Sequence, residues 1–185
     1  MRFLSRSLVA ALATAFCVLL VRPADAASAG EINRDSSAAL QTLYSKSSKA
    51  RELSKAAKGV LVFPKIVKAG FVFGAQTGSG VLRVNGKVAG YYNISTASFG
   101  LQAGVQSFSY ALFFMNQGAL SYLDKSDGWQ LGSGPSIVVV DKGAAASLTT
   151  TTLTQDVYAF PFGQTGLMAG LGIEGSKITR INPDP

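Results

Sequence analysis

The stretch Val81-Leu82-Arg83-Val84-Asn85-Gly86-Lys87-Val88-Ala89-Gly90-Tyr91-Tyr92-Asn93-Ile94 reads as two strands joined by a two-residue turn. Asn-Gly tolerates the positive φ that a type I′ turn needs at both central positions, so a tight hairpin is expected here. That hairpin predicts an antiparallel sheet, and the chain on both sides extends it. Upstream, Val60–Phe63 is an apolar run closed by Pro64, and Phe71–Phe73 is a second one before a Gly-rich turn at Gly78-Ser79-Gly80. Downstream, the odd positions from Ala97 to Val105 are apolar and the even ones are polar or Gly, a strand period of two. Tyr110–Met115 is an unbroken apolar run suited to a central strand, and Asn116 is placed to cap a short helix carrying Leu120 and Leu123. Trp129–Leu131, Ile137–Val140, Thr149–Thr152, Val157–Phe162, Leu167–Ile173 and Ile178–Ile181 complete the strand candidates.

Before Gly59 the period is helical. Ser28-Ala29-Gly30-Glu31 has capping-box spacing, and Ile32, Ser36, Ala39 or Leu40, and Leu43 then recur at helical spacing. A Ser-rich break at Ser45–Ser48 separates a second short helix, expected to run to Gly59. On it Ala50, Leu53 and Ala57 share one side, while Arg51, Lys55 and Lys58 fall within an arc of about 60° on the other. The fold class is therefore α+β: a curled or barrel-like antiparallel sheet with N-terminal helices packed at one end. The expected organisation is a signal peptide over 1–26, a helical segment over 27–58, and one β-rich core over 59–185. Arg2 and Arg6 precede an apolar core, Leu8–Val21, and Ala24-Asp25-Ala26 supplies a signal-peptidase site. Acylation of Cys17, giving a lipid-anchored protein, is the alternative. Either route predicts export to the periplasm or to the surface of an envelope membrane.

Chemistry is scarce. The 185 residues include one Cys and no His, which excludes Ser-His-Asp and Cys-His nucleophiles and most catalytic zinc sites. The glycines from Gly70 to Gly80 lack the Gly-Lys-Ser/Thr of a phosphate loop, and no Gly-x-Ser-x-Gly elbow occurs. Asp124 and Asp127 beside Gly128 suggest a turn rather than a cation site. No catalysis, metal or cofactor is expected.

The formal net charge is +7, and removing residues 1–26 leaves +5. Residues 46–68 carry seven basic side chains against Glu52 alone, a net of +6, whereas 69–185 balance to zero. Such a block attracts an anionic partner. It lacks the interleaved aromatics and reading motifs of nucleic-acid binders, so no nucleic acid is expected.

The run from Lys58 through Gly59-Val60-Leu61-Val62-Phe63-Pro64-Lys65-Ile66-Val67-Lys68-Ala69-Gly70-Phe71, with Gly74 and Gly78–Leu82, resembles the opening of the SYLF (Ysc-type lipid-binding) domain. Ser98–Gln106 followed by Phe114-Met115-Asn116 resembles its middle motif, and Val157-Tyr158 through Gly166–Leu171 and Glu174-Gly175 its closing one. Ala75, where a second Gly is common, and Tyr91-Tyr92, in place of a Trp-bearing stretch, depart from the pattern. The resemblance implies a non-catalytic bacterial envelope domain recognising anionic, phosphoinositide-like phospholipid or a membrane surface. The expected lipid-binding residues are Arg51, Lys55, Lys58, Lys65 and Lys68, with protein partners unknown. The alternatives are a structural or interaction protein of the envelope without a lipid ligand, and a small outer-membrane barrel.

Overall fold

The computed structural model describes residues 27–70, 73–99, 104–125, 128–140, 154–166 and 175–185. The signal segment, Asp127 and the expected strands at 149–152 and 167–173 lie outside them, as do residues 100–103 of the alternating run. Helix α1 spans Ala29–Lys46 and opens on a complete capping box. The Ser28 hydroxyl accepts from the Glu31 N–H at 3.3 Å, and the Glu31 carboxylate accepts from the Ser28 N–H at 3.0 Å. Ser47 ends α1 and caps α2 (Ser48–Ala56) by accepting from the Ala50 N–H at 3.1 Å.

Eight strands follow: β1 Gly59–Gly70, β2 Phe73–Val84, β3 Lys87–Phe99, β4 Gly104–Phe114, β5 Trp129–Gln130, β6 Ile137–Val139, β7 Val157–Gly166 and β8 Lys177–Ile181. Helix α3, Gln117–Lys125, lies between β4 and β5. The sheet order is β5-β8-β3-β2-β1-β4-β7-β6, curled into a half-barrel with the first helices on its outer side. Strand β4 returns beside β1 rather than β3, the Greek-key arrangement. One pairing departs from the antiparallel expectation: the short edge strand β6 runs parallel to β7.

The Asn85-Gly86 turn is present, with φ of 52° and 77°. Two expected punctuation marks are not. Pro64 does not close the first strand, because β1 passes through it by a bulge that shifts register between Phe63 and Ile66. Proline costs a ladder hydrogen bond, and a bulge is where a sheet tolerates that. Gly78-Ser79-Gly80 is no turn either, but the middle of β2. A Cβ at Gly78 would lie 2.6 Å from the Lys65 carbonyl oxygen, and one at Gly80 would lie 2.6 Å from the Phe63 ring. These glycines let β2 approach the bulged part of β1. At the described ends of the 97–105 alternation, where β3 ends at Phe99 and β4 begins at Gly104, Ala97 and Val105 are exposed rather than buried.

The sheet separates two apolar layers. Inside the curl, Phe63, Ile66, Tyr92, Phe108, Tyr110, Leu112 and Phe114 pack with Leu120 and Leu123 of α3 and with Trp129. The Trp129 indole N–H donates to the Ser133 carbonyl at 2.8 Å. Outside, Leu43, Ala50 and Leu53 of the helices cover Ala111, Phe113, Tyr158 and Phe160. Strands β1 and β4 are thus buried on both faces along their Phe113–Leu61 half, which explains their unbroken apolar runs.

Candidate functional site

Where α1, α2 and the β2–β3 turn meet, a cleft of about 460 Å³ opens. Helix α1 lines it with Ser37, Leu40 and Tyr44, and α2 with Ser54 and Lys55. Ala57, Lys58, Gly59 and Val60 form the base, while Arg83, Asn85 and Gly86 close the far side. Three of these side chains are cationic and none is a carboxylate.

Arg83 is the fixed member. Its Nη2 donates to the Asn33 carbonyl at 3.2 Å, to the Asn33 side-chain oxygen, and to the Ser37 hydroxyl at 2.8 Å. These bonds tie β2 to α1 and hold the guanidinium at the cleft wall, while its buried Nε has no hydrogen-bond partner among the described residues. Burial pushes the Tyr44 phenol above its ordinary pKa of 10.0, with the Ser54 hydroxyl and the Arg83 charge pulling the other way. Tyr44 is therefore a neutral hydroxyl at pH 7. Cations, hydroxyls and backbone amides can together hold an anion.

The five expected residues do not form one patch. Lys55 and Lys58 line the cleft. Arg51 is exposed one helical turn before Lys55, and its guanidinium donates to the Tyr44 carbonyl at 2.6 Å. Lys58 is not on the helix: α2 ends at Ala56, Ala57 is extended, and the Lys58 N–H already donates to the Phe114 carbonyl at 2.7 Å. The helical-wheel arc therefore holds for Arg51 and Lys55 only. Lys65 lies seven positions along the chain from Lys58, about 23 Å at strand rise, and Lys68 lies beyond it. Register sets Lys68 opposite Gln76 and Gln106, on the inner face of the curl.

Sequence reasoning missed Arg83, counting it only in the neutral remainder. Its signal was available: a lone charge among Val81, Leu82 and Val84, directly before the turn. Asp124 lies in the last turn of helix α3 rather than in the expected connecting turn, and its carboxylate accepts from the Tyr92 hydroxyl at 2.7 Å and faces Arg180 at 3.5 Å. Among the described residues no group of three His, Cys, Asp or Glu could hold a metal. No described helix is long and apolar enough to cross a membrane.

Residues 95–183 match the family described as Ysc84, Las17-binding protein actin regulator. This match supports the SYLF family for the chain. The matched span runs from β3 through β8, and so covers the closing and middle motifs but not the cleft, whose residues fall between Ser37 and Gly86. No curated protein matches the chain. SYLF domains are binding domains, associated with lipid and with actin or protein partners.

Proposed function

We propose that this SYLF protein is a non-catalytic component of the bacterial cell envelope that binds anionic phospholipid, with the phosphate of the headgroup held in the cleft. One observation carries the reading: Lys55, Lys58 and Arg83 converge on a cleft that contains no carboxylate. Its volume is within the range of small-molecule sites, and the hydroxyls of Ser37, Tyr44 and Ser54 supply polar partners for a phosphate or for inositol-like hydroxyls. Lys55 and Lys58 are exposed, so they meet a headgroup without first being dehydrated. The apolar interior of the curl argues against the outer-membrane barrel, whose lumen is polar and whose outer face is apolar. Arg51 extends the positive face beyond the cleft, and export through the 1–26 segment would bring the protein to envelope lipids.

Flotation with vesicles tests this. The purified protein is expected to float with phosphatidylglycerol-containing vesicles in low salt and to stay behind with phosphatidylcholine alone. Molar salt, where screening shortens to about 3 Å, should release much of the bound protein. Equal flotation on neutral and anionic vesicles would refute anionic recognition, and no flotation at all would favour a protein-interaction role.

A further inference from the structure

Among the described residues, the helix-bearing side of the sheet is covered only over part of its length. Val60 and Val62 face the helices, and after the bulge Ile66 points into the core, so Val67 and Ala69 return to the helix side. Register then sets Val105, Ala69, Ala75 and Ala97 directly opposite one another across β4, β1, β2 and β3. Side chains paired in this way project from the same face. All four are exposed, Val105 at 64%. Phe73, one step nearer the strand ends on the same face, is 70% exposed. Singly exposed apolar residues need no explanation, but a cross-strand row ending in a protruding Phe does.

We propose that this row is a membrane-inserting surface, with Phe73 and Val105 entering the hydrocarbon boundary of an anionic bilayer. The inference rests on the reading that the protein binds anionic lipid, and adds the apolar contact that the cleft lacks. Charge complementarity selects the occupant. From Leu53 to Leu123 the chain has no Asp or Glu, while Lys65, exposed, lies a few residues from Ala69 on β1. Helix α2 turns Arg51 and Lys55 outward on the same side of the sheet. Strands β1–β4 thus offer cations and apolar groups on that side with no acid, and the one acid of α2, Glu52, pairs with Lys49 at 3.1 Å. A second copy of the chain is a poorer occupant. Three alanines, a valine and a phenylalanine fall well short of the roughly 800 Å² per partner that specific interfaces bury. A bilayer needs no such shape match. Cationic side chains give reversible attachment, and stable attachment takes a second, apolar contribution.

The test uses the full chain with two variants. In Phe73→Trp, emission should be quenched by vesicles whose acyl chains carry bromine, well beyond the quenching of the wild type, whose Trp129 is fully buried. In Phe73→Ser/Val105→Ser, affinity for anionic vesicles should fall by at least about tenfold, because apolar transfer scales with the area removed from water. That fold-loss should persist in molar salt, where the cations are screened. If the protein floats with anionic vesicles while the introduced indole remains unquenched and the double variant binds like wild type, the inserting surface is overturned and the cleft reading stands. If the wild type does not float at all, both fail together. A lipid-free dimer that the double variant dissociates would overturn the proposal in favour of self-association.

Discussion

Two pairs of lysines in the same basic block are expected to behave differently, although their removal changes net charge equally. Lys55→Gln/Lys58→Gln removes two exposed charges from the cleft. Each cation at an anionic surface contributes about 1 kcal/mol, so the pair should cost about 2 kcal/mol, a roughly 30-fold loss in vesicle affinity. Lys46→Gln/Lys49→Gln is the matched control. Lys49 already pairs with Glu52 at 3.1 Å, and neither side chain lines the cleft. Removing this pair costs the same number of charges but away from the cleft, so affinity should drop only a few-fold. Solvent-facing charges contribute little to folding, so both variants should unfold at the wild-type temperature. Titrating anionic vesicles against each protein in low salt, read by co-sedimentation, gives the two ratios. If both pairs weaken binding alike, the block acts as diffuse charge and the cleft has no special part. A cleft variant that binds as well as wild type refutes the headgroup site outright.

Gly80→Ala should destabilise by about 1–3 kcal/mol, because the added methyl meets the Phe63 ring and the Val62 carbonyl in a bulge that cannot retreat. At roughly 2–4 °C per kcal/mol for a chain of this size, thermal circular dichroism should show a fall of several degrees. Gly30→Ala in α1, whose methyl would come only within 3.8 Å of the Ser28 hydroxyl, should instead raise the midpoint slightly. The Asp156 carboxyl is held below its ordinary 3.8 by the Ser136 N–H, the Ser136 hydroxyl and the Asn116 amide. Its contribution is complete above that value and is lost as pH falls through the lowered one, so acid titration of Asp156→Asn should show a shallower loss of stability below pH 3.8 than wild type. Burial, then the hydrogen bond to Asp124, raises the Tyr92 phenol above its ordinary 10.0. Its contribution is intact below pH 10.0 and lost above it, and Tyr92→Phe should flatten the alkaline limb of a denaturation curve.

What the chain alone determined is what neighbouring residues decide among themselves. The capping box at Ser28, the break at Ser47, the Asn85-Gly86 hairpin and the Asn116 cap each depend on groups within three or four positions, and each is present. Arrangements across longer separations were not legible. Pro64 and the Gly78–Gly80 run carry turn signals, yet both lie within strands, because a bulge absorbs the missing N–H and β2 needs glycine to pass it. Lys58 fits a helical wheel, but it leaves the helix because its N–H is taken by Phe114, 56 residues away in sequence. The basic block is contiguous in the chain, but an extended strand carries Lys65 and Lys68 away from Lys55 and Lys58. Arg83 is recruited in their place by Asn33 and Ser37 of α1. The exposed row of Val105, Ala69, Ala75 and Ala97 depends on the register of four strands and on where the helices stop. Local sequence thus settled the sign of the charge, the helix caps and the Asn85-Gly86 turn. Tertiary structure decided which charges meet and which apolar side chains face outward, because strand pairing joins residues whose separation no local pattern encodes.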